Sequence, residues 1–94
     1  MPHFAIHCID KPEGGELRGA TRAAHLAHID GIADQVLVAG PLLDLAGQPI
    51  GSLLIIDFPE RKDAVAFAAA DPYALAGLFA SVAVTAWRQV RPAA

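Results

Sequence analysis

A single cysteine, Cys8, stands in a chain of 94 residues. One thiol cannot close an intrachain disulfide, and a cysteine-based zinc site within one chain is excluded with it. Charge is sparse too: 18% of residues are charged, the formal net charge is −3, and the seven Lys and Arg side chains are scattered along the chain. Without a basic stripe, nucleic acid is not an expected partner. The acidic residues gather into no tail. No segment approaches the ~20 apolar residues of a membrane span. Met1-Pro2-His3-Phe4 also lacks the basic start and long apolar run of a secretory leader, so a cytoplasmic protein with no membrane partner is expected. Phosphate-binding glycine loops, dinucleotide fingerprints and nucleophile elbows are all missing, and no cofactor is expected.

What the chain has is apolar surface, 54% of its residues, much of it alanine. A chain of this length suits one domain, residues 1–94, and buries only about 60 to 65% of the surface its unfolded form exposes. So high an apolar share favours an oligomer that hides a further face.

The periodicity gives the order of elements. His3 to Ile9 alternates as a strand, with Phe4, Ile6 and Cys8 on one face, followed by the turn-forming run Asp10-Lys11-Pro12-Glu13-Gly14-Gly15. A helix is expected from Glu16 to Asp34, with a weak point at Gly19 and a fresh cap at Thr21. Gln35 to Ala39 is a short strand stopped by Gly40-Pro41, and a connection runs from Leu42 to Pro49. Ile50 to Phe58, with its continuous run Leu53-Leu54-Ile55-Ile56, is expected to be a central strand. Pro59-Glu60-Arg61 opens a second helix that ends at Ala70. A short helix from Pro72 to about Phe79 and a last strand from Ser81 to Val90 complete the chain. The fold class is therefore α+β, a ferredoxin-like β-α-β-β-α-β with a short extra helix before the last strand. Helices would cover one face of a four-stranded antiparallel sheet, and a second copy of the chain would cover the other, giving a homodimer.

Chemistry is concentrated in two stretches. In Thr21-Arg22-Ala23-Ala24-His25-Leu26-Ala27-His28-Ile29, helical spacing puts Leu26, Ile29, Ile32 and Ala33 on one side, with Arg22 and His25 inside that apolar arc and His28 near its margin. His25 is then either a core histidine satisfied by neighbours or a working group in a pocket. In Asp71-Pro72-Tyr73 the aspartate suits a helix cap and the proline a first helical position, yet a capping carboxylate has a second oxygen to offer an imidazole. A His-Asp pair fixes the tautomer and leaves the other ring nitrogen free to move a proton. Only the fold can bring the two residues together. Cys8 suits a buried apolar role. His3 and His7 lie ~13 Å apart on one strand face, too far to share a metal. His25 and His28 lack a third ligand, and no metal site is expected.

Arg22-Ala23-Ala24-His25-Leu26, Ala39-Gly40-Pro41, Gly51-Ser52-Leu53, Asp71-Pro72-Tyr73 and the terminal strand through Trp87 resemble, in order and spacing, the YCII-related (YciI-like) proteins. The resemblance covers essentially the whole chain. It implies a ferredoxin-like subunit of the dimeric α+β barrel superfamily, with an active site built from His25 and Asp71. It also implies lyase or dehydrochlorinase-like chemistry on small, cyclic, hydroxylated compounds. Two departures stand out: Ala23 where relatives often have proline, expected to matter only at the helix start, and His28, expected at the pocket rim.

The leading expectation is a cofactor-independent enzyme acting on a small-molecule ligand, with His25 as general acid/base, Asp71 orienting it, and Arg22, Ser52 and Tyr73 shaping the substrate site. A non-catalytic ligand-binding or accessory dimer would keep the same pocket. In a third reading the pair is structural, and its loss would mainly lower stability.

Overall fold

The structure is a computed structural model that describes residues 2–93. Its elements are β1 (His3–Asp10), α1 (Gly15–Asp30), β2 (Val36–Leu43), β3 (Pro49–Asp57), α2 (Arg61–Ala70), α3 (Pro72–Leu75) and β4 (Phe79–Trp87), with a single 3-10 turn at Ala33–Gln35. The four strands form one sheet in the order β2-β3-β1-β4, and every neighbouring pair is antiparallel. This is the ferredoxin-like α+β arrangement, with the apolar run of β3 in the interior of the sheet as its composition requires.

The register explains the core. Phe4 pairs with Ile56, Ile6 with Leu54 and Cys8 with Ser52, so the alternating residues of β1 and β3 share one face. On that face Phe4, Ile6, Cys8, Leu54 and Ile56 pack with Ile29 of α1 and Ala64 and Ala68 of α2. The alanines let α2 lie close to the sheet. The opposite face carries Ala5, Val38, Leu53 and Ile55. No helix among the described residues is long and apolar enough to cross a membrane.

The ends of α1, β2, α3 and β4 differ from the pattern-based expectation. Helix α1 runs unbroken through Gly19 and Thr21 but ends at Asp30, because Gly31 takes the C-cap and the chain tightens into the 3-10 turn. Ala23 therefore lies inside the helix, not at its start. Strand β2 continues through Gly40-Pro41 to Leu43, because it is an edge strand, where a proline without an N–H is tolerated. The connection shrinks to a hairpin turn in which Asp44 Oδ1 accepts from the backbone N–H of Ala46 and Gln48. Finally, α3 stops at Leu75. Gly77 has φ +80, the N–H of Gly77 donates to Ala74 O and that of Leu78 to Tyr73 O, a Schellman turn that hands the chain to β4 at Phe79. Strand β4 also ends early, at Trp87.

Cys8 is buried in the core, where burial first, then the charges of Asp71 and Asp10 against that of Arg18, pushes its thiol from 9.0 up to about 12. The unfolded chain thus gives up this proton before the native one does. Stability owed to Cys8 is complete below pH 9.0 and falls as pH rises toward about 12, with a slope of at most about 1.4 kcal/mol per pH unit. Urea unfolding of the parent and Cys8→Ala across this range is expected to show the shallower alkaline slope in the variant; identical slopes would refute the shift.

Candidate active site

Helix α1 presents Arg18, Arg22 and His25 at spacings of four and three residues, which places them on one face toward the sheet and α3. Between this face, β2, β3 and α3 lies a cavity of about 360 Å³, and all three side chains line it together with Pro41, Ser52 and Tyr73. Its size is within the range of small-molecule sites.

His25 is 7% exposed, and its Nδ1 lies 2.9 Å from each carboxylate oxygen of Asp71, itself 3% exposed. Asp71 Oδ1 also accepts from the backbone N–H of Tyr73 at 2.9 Å, so the same carboxylate caps α3 and holds the histidine. A carboxylate engaged as acceptor places the imidazole proton on Nδ1 and leaves the Nε2 lone pair for a molecule in the cavity. The Tyr73 ring stacks on His25 with centroids 4.0 Å apart and an interplanar angle of 18°. Arg18 stands over the same tyrosine, 4.6 Å from the ring centroid. Burial raises the Tyr73 hydroxyl above its ordinary value against the opposing charges of Arg18 and Arg22, so it stays protonated at neutral pH. Tyr73 thus serves as a wall that fixes the imidazole plane.

Arg18 and Asp10 are absent from the sequence-based reading of the site. The Arg18 Nε donates to Asp10 Oδ2 at 2.8 Å and its Nη2 to Asp10 Oδ1 at 3.2 Å, a bidentate fork. Nη2 also reaches Gly51 O at 2.8 Å and Ser52 Oγ at 2.7 Å. Burial alone would lower the guanidinium's affinity for its proton, but the hydrogen bond and charge of Asp10 outweigh it and hold Arg18 above the ordinary value. The signal for Arg18 was its position seven residues before His25, on the same helix face. Asp10 was hidden because it looks like the first residue of a loop, whereas it ends β1, at the point where the register with β4 shifts.

At Gly51 the backbone of β3 passes so near β1 that a Cβ there would run into the carbonyl oxygen of Cys8. That close approach sets Ser52 beneath Arg18. His28 is not at the cavity rim: its Nε2 lies 3.0 Å from Phe67 O and its ring stacks on Phe67 at 4.1 Å, tying α1 to α2. His7 is exposed on the face opposite the cavity.

A family model described as the YCII-related domain matches residues 2–88. Two relatives, each called protein YciI, from Escherichia coli and Shigella flexneri, are 34% identical to this chain, covering 93% of it and 97% of each relative. Among solved structures, the chain is similar to 5-chloro-2-hydroxyhydroquinone dehydrochlorinase (TftG) from Burkholderia phenoliruptrix, in complex with 2,5-dihydroxybenzoquinone. The TM-score is 0.89 and the identity 30%, over 95% of this chain and 96% of that one. An antibiotic biosynthesis monooxygenase matches with TM-score 0.57 and 14% identity, over 96% of this chain and 99% of that one. Rv0793 from Mycobacterium tuberculosis matches with TM-score 0.53 and 19% identity, over the full length of both chains. These two likenesses concern the fold alone.

Proposed function

The chain belongs to the YCII-related domain family, and we propose that it is a cofactor-independent, dehydrochlorinase-like enzyme acting on a small hydroxylated ring. The observation that carries this reading is the buried His25–Asp71 contact at the wall of a cavity sized for such a ring. His25 is the general acid/base, and Asp71 fixes its tautomer and stabilises the imidazolium that forms when Nε2 accepts a proton.

The chemistry balances without an oxidant. A ring hydroxyl gives its proton to Nε2, the ring rearranges to its keto tautomer, and His25 returns a proton to the carbon bearing chlorine. A second hydroxyl then loses its proton as the carbon–chlorine bond breaks and chloride leaves with the bonding pair. A chlorinated hydroxyhydroquinone becomes a hydroxyquinone and HCl. The likeness to the dehydrochlorinase, 30% identical over nearly the full length of both chains, supports this substrate class.

The test is anaerobic incubation of the protein with 5-chloro-2-hydroxyhydroquinone, following chloride and quinone together. Equimolar release of the two is expected. A ring that binds and is recovered unchanged would replace this proposal with the non-catalytic binding dimer.

The working form in this proposal is a cytoplasmic homodimer of single-domain chains, paired through the sheet face that carries Ala5, Val38, Leu53 and Ile55. Sedimentation is expected to give twice the chain mass, and a stable monomer at micromolar concentration would count against the pairing.

A further inference from the structure

A guanidinium carries donors and no acceptor, so the 2.7 Å contact between Arg18 Nη2 and Ser52 Oγ has one polarity: the nitrogen donates and the hydroxyl oxygen accepts. The serine's own hydrogen remains to be given elsewhere, and no acceptor for it is found among the described residues. Ser52 is 2% exposed and lines the cavity, so that acceptor has to come from a molecule inside it. Receiving a hydrogen bond from a cation polarises the hydroxyl and strengthens it as a donor.

The two arginines of the cavity are not equivalent. Asp10 neutralises Arg18 through the fork, and the remaining reach of Arg18 goes to Gly51 O and Ser52 Oγ. Arg22, one turn further along α1, lines the same cavity and has no carboxylate partner among the described residues. A charged donor without a counter-ion and a polarised neutral donor therefore face one space.

We propose that Ser52 and Arg22 form an oxyanion subsite that selects rings carrying an ionised oxygen, with Arg18 and Asp10 acting as positioning residues through Ser52. The inference rests on the reading of the ligand as a hydroxylated ring and adds its charge state. Hydroxyquinones fit this demand, since they are vinylogous carboxylic acids and are already ionised at neutral pH, as do phenols acidified by electron-withdrawing substituents. In the dehydrochlorination sequence the same subsite would hold the oxygen from which His25 removes a proton.

The experiment is calorimetric and visible-absorbance titration of the parent, Ser52→Ala and Arg22→Gln with 2,5-dihydroxybenzoquinone and with its dimethyl ether, which cannot ionise. Each variant is expected to bind the dihydroxy ring roughly 10- to 100-fold more weakly, the worth of a hydrogen bond to a charged group, while the ether changes by less than about threefold. The absorbance band adds a readout that a structural role would not move. In the parent the bound ring ionises at lower pH than the free ring, and in Ser52→Ala its midpoint returns toward the free value. Arg18→Lys, which keeps the charge but not the fork, is expected to raise that midpoint in the same direction.

Arg22 is exposed, so Arg22→Gln tests the subsite without threatening the fold. Equal weakening of both rings, no weakening of either, or a parent that binds neither would overturn the proposal. Selective binding without chloride release would refute the catalytic reading and leave the subsite standing. Chloride release without selectivity would do the reverse.

Discussion

His25→Gln is expected to lower kcat for chloride release by roughly 10²- to 10⁴-fold, the contribution of a positioned acid/base, with a much smaller change in affinity for the ring. Glutamine fills part of the imidazole's space and cannot shuttle a proton. Asp71→Asn is the informative companion. Asparagine caps helices as well as aspartate does, so the Tyr73 N–H keeps its partner and α3 its start. What changes is the imidazole: the neutral amide neither fixes the Nδ1–H tautomer nor stabilises the imidazolium. A fall in kcat of similar order is expected, and the double variant should be little worse than either single one, since the two residues act as a unit. If kcat survives in His25→Gln, another group moves the proton and the assignment fails.

The second large effect is on stability. Arg18→Met removes the partner of Asp10, whose side chain is 5% exposed, and leaves a carboxylate buried without its ion. Breaking such a pair from one side costs about 3–5 kcal/mol. In a domain of this size that lowers the melting midpoint by roughly 12 °C or more. The double variant Asp10→Leu with Arg18→Met, which buries no charge, is expected to recover most of the loss while still lacking the guanidinium that polarises Ser52. Because Asp10 holds the guanidinium above its ordinary value, Arg18 keeps its proton throughout the working pH range. Thermal melts of Arg18→Met, Asp10→Leu and the double variant give the coupling directly. A loss below about 1 kcal/mol in Arg18→Met would mean that water replaces the arginine and that the pair is incidental to the fold.

The parts of the fold legible in the sequence were those set by periodicity. Alternation at Phe4, Ile6 and Cys8 marked the core face of β1, and the unbroken run Leu53 to Ile56 marked an interior strand, because burial leaves no other economical pattern. Boundaries were legible only where local chemistry and tertiary position agree. Gly40-Pro41 stops a central strand but not an edge one, and edge position belongs to the sheet, not to the dipeptide. His28 looked like a rim residue because its helical angle is close to that of His25. It faces α2 instead, where Phe67 offers a ring and a carbonyl. His25 and Asp71 were recognisable as candidates from their surroundings in the sequence, while the 2.9 Å between them is a product of how α1 packs on α3. Arg18 stayed hidden because a lone arginine in a helix reads as solvated surface until its carboxylate partner is known. That partner sits at the end of β1, across a turn whose course no local pattern specifies.

Helix α1 carries Arg18, Arg22 and His25 along about 10 Å of its axis, at 1.5 Å per residue. The helix therefore acts as a gauge: the separation between the group that holds an oxygen and the group that moves a proton is written in the residue count between them. One inserted residue anywhere from Gly19 to Ala24 would swing every side chain beyond it by about 100 degrees and turn His25 away from Asp71. Letters in this segment can change singly, but its length cannot, and variation in ligand size among proteins built this way has to come from the other walls of the cavity, the β2–β3 hairpin and α3.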